Sequence, residues 1–179
     1  GWELIIIGAL CVLFAFLYTT GPYPLSYNGW GDVLVIIFFG FVPVGGTYYV
    51  QALTCTPDVT IASIICGLLI DTLLVVNNYR DREADARSGK RTVIVRFGEK
   101  FGRYFYLLLG ISASLLCLYF LREGHIYAAL LPQLYLVPHV LTWRRMVKIH
   151  SGKKLNSILG ETSRNMLFMG ILLAIGMIL

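Results

Sequence analysis

TIASIICGLLIDTLLVVNNYRDREADARSGKRT, residues 60–92, passes from an apolar run into a dense cluster of charge. Between Thr60 and Val76 the one charged residue is Asp71. A hydrocarbon core about 30 Å thick is crossed by about 20 apolar residues in a helix, so the first half of this stretch reads as a membrane span. At about 100° per residue, Asp71, Asn78, Asp81 and Asp85 fall on one stripe of that helix. The remaining faces are compatible with lipid.

The rest of the chain repeats the apolar half of this pattern. Further spans are expected at Leu4–Thr20, Val33–Gln51, Tyr104–Phe120, Ile126–Trp143 and Met166–Leu179, the last of them short. The mean hydropathy is +0.72, and only 14% of the 179 residues are charged, against about one quarter in soluble domains. Helices satisfy their own backbone in lipid, and the apolar runs are continuous rather than alternating. The expected fold is all-α, a multi-pass transmembrane helical bundle. Pro43 with Gly45 and Gly46, and Pro132 with Pro138, interrupt two spans in a way that bundle packing tolerates.

Of fifteen Lys and Arg residues, eight lie in Arg80–Arg103 and five in Arg144–Lys154. Positive residues collect in cytoplasmic loops. This places the loops after the third and fifth spans, and the loop at residues 21–31, on the cytoplasmic side of the cell (plasma) membrane. The opposite loops, 52–59 and 121–125, carry one basic residue, Arg122. The basic loops are short, contain acids and adjoin spans, so the expected surroundings are the lipid bilayer and no nucleic acid. Cys11, Cys55, Cys66 and Cys117 form no C-x-x-C pair and read as free, buried thiols. His125, His139 and His150 lack the spacing of a metal site and are given no role.

The chemistry concentrates at the emerging end of residues 60–92. Asp71, at depth, is expected to face the bundle interior, as a structural acid or as a site residue. Asp81 and Asp85 point the same way from adjacent turns and repel, so a positive partner is required. Neighbouring Arg and Lys supply one answer, a solvated charge cluster. Mg²⁺ supplies the other, since it takes one or two carboxylates together with phosphate oxygens and water. Asn77 and Asn78 before the acids, and Gly89-Lys90-Arg91-Thr92 after them, add amides for orientation and cations for phosphate oxygens.

Asn77-Asn78-Tyr79-Arg80-Asp81-x-x-x-Asp85-x-x-x-Gly89-Lys90-x-Thr92, followed by Val95-Arg96-Phe97-Gly98, closely resembles the second aspartate motif of UbiA-type membrane prenyltransferases. It looks most like the menaquinone branch, which acts on 1,4-dihydroxy-2-naphthoate. Tyr18-Thr19-Thr20-Gly21-Pro22-Tyr23-Pro24-Leu25-x-Tyr27-x-Gly29-x-Gly31-Asp32 agrees, as do Phe38-Phe39-Gly40 and Gly45-x-Thr47-Tyr48-Tyr49-Val50-Gln51. The resemblance covers nearly the whole chain.

It implies a nine-helix bundle with a cavity open sideways to lipid, of which six helices are expected here. Two facing aspartate motifs would bind Mg²⁺ and the diphosphate of a polyprenyl donor. Ionisation gives an allylic cation that the aromatic acceptor attacks, and loss of the ring carboxylate leaves demethylmenaquinol. Asp81 and Asp85 are then the metal ligands and, with Arg80 and Lys90, the catalytic set. Asn78, Asn77, Arg91, Tyr23 and Tyr27 are substrate-binding candidates. Arg80 has a second reading, an ion pair with Asp81 or Asp85. Tyr48 and Tyr49 offer ring faces to a cation, although packing explains such residues equally well.

The first motif, of N-D-x-x-D form, is absent, because neither Glu3 nor Asp32 has the neighbours that would make it. Residues 1–179 are therefore expected to be a single prenyltransferase domain truncated at its N-terminus and inactive alone. Other acceptors stay open: 4-hydroxybenzoate, homogentisate, haem or a chlorophyllide. So does a non-enzymatic transporter or scaffold, which would need ionisable residues continuing across the membrane.

Overall fold

The computed structural model describes residues 1–179, which form six membrane-length helical passages and no strand. Five helices are long and apolar enough to cross a membrane: α1 (Trp2–Thr19), α2 (Gly31–Ala52), α3 (Pro57–Arg87), α4 (Val93–Leu121) and α6 (Lys153–Ile178). The remaining passage, α5 (126–149), is built in three pieces, α-helical at Ile126–Leu130 and Leu136–Ile149 and 3₁₀ at Leu131–Tyr135. Pro132 stands in the first turn of the 3₁₀ piece and Pro138 near the start of the next, where a missing N–H costs little.

α3 is the axis of the fold. Pro57 starts it, and the Thr56 hydroxyl caps it by accepting the Val59 N–H at 3.3 Å. Its 31 residues rise about 46 Å, well beyond a hydrocarbon core of about 30 Å. The span expected at Thr60–Val76 therefore continues unbroken as a rigid rod carrying the acidic motif out of the lipid. It ends where Gly89 turns into the left-handed region, φ 77°, and the Lys90 N–H returns to the Asp85 carbonyl at 2.9 Å.

α2 is π-helical from Ile36 to Gly45, with Pro43 inside the wide turns. Its Gly40 rests on the backbone of α3. A Cβ at Gly40 would stand 2.4 Å from the Ser63 carbonyl, and one at Gly67 would stand 2.9 Å from the Ile36 Cα. Small residues at such crossings let backbones approach and gain dispersion contact where lipid removes the hydrophobic drive.

Two buried clusters sit along α3. One gathers Ile65, Leu69, Ala113, Phe120, Tyr135 and Met169 in the middle of the bundle. The other gathers Val75, Val76, Tyr79, Ile94, Tyr106 and Ile158 beneath the charged end. α1 buries no residue and is apolar all round, as a lipid-facing helix is.

Three expectations are corrected. α4 begins at Val93, well before Tyr104, because Thr92 caps the Val95 N–H and a kink at Gly98 (φ 86°) lets a short amphipathic turn precede the apolar run. The last helix is not short: its α-helical part spans 23 residues, Asn156–Ile178. Its buried polar residues, Glu161, Thr162 and Asn165, face protein, with Arg145 on Glu161 at 2.7 Å, and Asn165 donating to the Thr142 hydroxyl at 2.9 Å. The thiols are free, but Cys117 alone is fully buried and Cys55 is exposed.

Candidate diphosphate site at the end of α3

Asp81 and Asp85 stand on successive turns of α3, and each carboxylate faces a cation. Arg80 grips Asp81 through Nε to Oδ1 at 2.7 Å and Nη2 to Oδ2 at 2.6 Å. The same guanidinium donates to the Asn77 Oδ1 at 2.8 Å and to the Asn156 Oδ1 of α6 at 2.9 Å. The ion-pair reading of Arg80 is thus realised, and the fork also ties α3 to α6. Lys90 Nζ stands 3.5 Å from Asp85 Oδ2, at ion-pair range but too far for a strong hydrogen bond.

Asp85 Oδ2 is buried and accepts no hydrogen bond. Together with the Asp81 carboxylate on the adjacent turn it offers hard oxygen donors to a divalent cation. No cluster of three or more His, Cys, Asp or Glu side chains converges anywhere in the chain. Mg²⁺ needs no such cluster, since it commonly keeps waters and phosphate oxygens beside one or two carboxylates. The residues fit Mg²⁺ on that count.

The helix end is clamped from behind. The Tyr79 hydroxyl donates to Glu99 at 2.8 Å and accepts from Arg103 Nε at 3.0 Å. Glu99 also pairs with Arg103 and His150, and the Arg82 guanidinium lies 4.6 Å over the Tyr79 ring. Tyr79 is fully buried, so the residues on either side of it, Asn78 and Arg80, are held by packing.

The proline-rich loop docks on the loop after α3. The Arg91 N–H donates to the Tyr27 carbonyl at 2.7 Å, and Arg96 Nη2 donates to the Asn28 carbonyl at 2.7 Å. Gly29 is left-handed, φ 80°, and a Cβ there would sit 2.9 Å from the Arg91 carbonyl, so only glycine closes the two loops this tightly. Asn78 and Lys90 meet Tyr18, Ser26 and Asp32 around a small polar hollow under this junction. The structure therefore brings together Asn77, Asn78, Arg80, Asp81, Asp85 and Lys90. The Arg91 side chain is exposed, and the Tyr23 and Tyr27 rings are exposed outside the hollow, with Tyr27 joining through its backbone.

Below Asn77 an apolar groove follows α3 between α2 and α6. Its upper section, about 520 Å³, is walled by Val35, Phe39, Leu73, Leu74 and Leu159. Ile70 and Ser163 carry it into a section of about 670 Å³ in which twelve of fourteen lining residues are hydrophobic. Val44 and Ala62 continue it to a third section of about 870 Å³ at the Gln51 and Asp58 end, where Tyr48 lies. From Asn77 to Val59 the axial length is about 27 Å. A proton or ion path would need polar groups throughout, and the middle section is almost wholly apolar.

Sequence reasoning passed over Asp32, Tyr18 and Ser26. The usable signal was Asp32 itself, an ionisable residue at the very edge of the span expected from Val33, which the structure takes into α2.

The helical membrane bundle, with an acidic pair on α3 one and two turns beyond the end of an apolar groove, is the arrangement against which the comparisons are set. The chain belongs to the UbiA prenyltransferase family, whose model matches residues 1–177. Among curated relatives, the 1,4-dihydroxy-2-naphthoate octaprenyltransferase of Escherichia coli is 40% identical over 114 residues, 64% of this chain and 37% of that one. The protein of the same name from Haemophilus influenzae is 41% identical over 111 residues, covering 62% and 36%. A UbiA prenyltransferase domain-containing protein 1 from Dictyostelium discoideum is 30% identical over 173 residues, covering 97% of this chain and 51% of its own. The matched region thus spans between about a third and a half of the length of these relatives. No solved structure matches.

Proposed function

We propose that these residues belong to a Mg²⁺-dependent polyprenyltransferase that joins a polyprenyl chain to 1,4-dihydroxy-2-naphthoate, releasing diphosphate and CO₂ in menaquinone biosynthesis. The observation that carries the reading is the position of Asp81 and Asp85 on α3 one and two turns beyond Asn77, where an apolar groove along the same helix ends. An isoprenoid diphosphate has that shape: a strongly anionic head and a tail that only lipid or an apolar wall accepts.

In this reading Asp81 and Asp85 hold magnesium, which when bound supplies charge for the departing diphosphate. Arg80 already presents N–H groups at the Asp81 carboxylate and offers them to phosphate oxygens as charge-assisted hydrogen bonds. Lys90 and Arg91 add positive charge from the docked loop, and Asn77 and Asn78 orient the head group. The groove keeps water from the allylic carbon, which matters because a carbocation is captured by any nucleophile within reach. The choice of naphthoate over another aromatic acceptor rests on the names of the relatives and on the motif, not on a contact in the site. The basic loops at this end support a cytoplasmic site in the plasma membrane.

The test takes the complete gene product in detergent or nanodiscs with octaprenyl diphosphate and dihydroxynaphthoate. Turnover requires Mg²⁺ and falls at least about 100-fold in Asp81→Ala and in Asp85→Ala. Turnover that survives both substitutions, or that needs no divalent ion, overturns the reading.

A further inference from the structure

Asp71 is fully buried in α3, and neither of its carboxyl oxygens has a hydrogen-bond partner among conventional donors. Asp32, at the start of α2, is 7% exposed, and its Oδ1 is likewise unpartnered. Asp32 lines the hollow together with Asn78, which stands two turns above Asp71 on the same stripe of α3, and a Cβ at the adjacent Gly31 would stand 3.3 Å from the side chain of Leu74, one turn above Asp71, so the two carboxyl groups are neighbours where α2 meets α3. Neither takes part in any ion pair of the molecule. The titratable neighbours are Tyr18 of α1, which lies beside both, and Lys90, which lines the hollow at Asp32 but is turned to Asp85.

Two ionised carboxylates facing each other in a membrane-depth interior, without a cation, repel at low dielectric and forfeit their hydration. Something neutralises one of them. A metal ion is a poor fit: the hollow at Asp32 offers about 10 Å³, no more than one water's worth, and no third acidic, His or Cys ligand converges. A proton needs no room.

We propose that Asp32 and Asp71 form an acid pair that shares one proton, the O–H of one carboxyl donating to the carboxylate of the other. The bond fastens the start of α2, and with it the proline-rich loop, to α3. It thereby positions Asn78 and Lys90 around the hollow next to the Asp81–Asp85 pair. Asp32 and Asp71 are positioning residues that touch no reacting atom. The positioning half of the inference rests on the proposed diphosphate role, and the shared proton does not.

Infrared spectra of the full-length protein at pH 7.5 test the proton. Wild type is expected to show a protonated carboxylic acid band that shifts on ¹³C labelling of aspartate. The band disappears in Asp32→Asn and in Asp71→Asn, because the carboxamide N–H replaces the shared proton and leaves the other group ionised. A wild-type spectrum without the band, or a band unchanged in both variants, overturns the acid pair. Calorimetric binding of magnesium pyrophosphate tests the positioning. Asp71→Leu, which leaves Asp32 without a partner, weakens it at least tenfold, and Asp71→Asn recovers most of the loss. Equal binding by wild type and Asp71→Leu overturns the positioning role. If Asp71→Leu does not fold, failure of Asp71→Asn to bind better than one tenth as tightly as wild type overturns it instead. Wild type that shows the band but binds no magnesium pyrophosphate sinks the proposed function and the positioning with it, and leaves the acid pair standing.

Discussion

Arg80 carries more of the site's geometry than any other single side chain. It reaches Asp81, Asn77 and Asn156 at once, so it sets the rotamer of a metal-ligand candidate and joins two helices with one planar fork. A lysine at this position keeps the charge and loses the fork. Arg80→Lys is therefore expected to raise the KM for polyprenyl diphosphate about tenfold, about 1.4 kcal/mol, the scale of one hydrogen bond to a charged group. Steady-state kinetics with varied donor measure it, and an unchanged KM removes Arg80 from the binding set. Gly29 governs the other wall. Gly29→Ala costs about 1–2 kcal/mol for the left-handed backbone and adds a contact with the Arg91 carbonyl that ordinary Cβ atoms do not make. The expected result is a loosened loop junction, read as faster amide exchange at Arg91, whose N–H is bonded to Tyr27.

At the scale of elements, the crossing of α2 on α3 shapes the groove. Gly40 and Gly67 allow backbone contact, and the π-helical turns around Pro43 give α2 the path that keeps this contact along its length. Gly40→Val has nowhere to go, because its first side-chain atom already overlaps the Ser63 carbonyl. Overpacking of this kind costs about 1–3 kcal/mol, which lowers the Tm of a chain of this size by several degrees. Thermal unfolding in detergent checks this. Gly160→Ala, at a helical glycine with open space beside it, is the matched control and is expected to hold the Tm or raise it by a few degrees, because alanine favours the helix interior by about 1 kcal/mol.

For the whole molecule, the groove along α3 makes a prediction about chain length. Its sections meet at Ile70 and Ser163. Ser163→Trp would place an indole across that junction. Donors long enough to pass it are expected to lose at least tenfold in kcat/KM, while a short donor such as geranyl diphosphate loses much less. Each buried CH₂ excluded from the groove forfeits about 0.8 kcal/mol, so the penalty grows quickly with each isoprene unit beyond the block. Equal losses for short and long donors would show that the tail lies elsewhere.

The residues themselves determined the helical class, the approximate spans and the acidic motif. Continuous apolar runs admit only helices in lipid, and a stripe of Asp and Asn at helical spacing reads the same in any fold. Span ends were read less well, at α4 and α6, because polar residues such as Glu161 and Asn165 interrupt an apolar count and are satisfied only by partners on another helix. Asp32 illustrates the same limit for the site. In the chain it is a lone acid distant from Asp71, and in the fold it is that residue's one carboxyl neighbour. Long-range pairing of this kind, like the docking of Tyr27 on Arg91 or the approach of Gly40 to Ser63, depends on how helices cross. Tertiary structure alone decides that, because crossing is set by contacts between residues far apart in sequence, whereas helix formation in lipid is set by each segment's own need to satisfy its backbone.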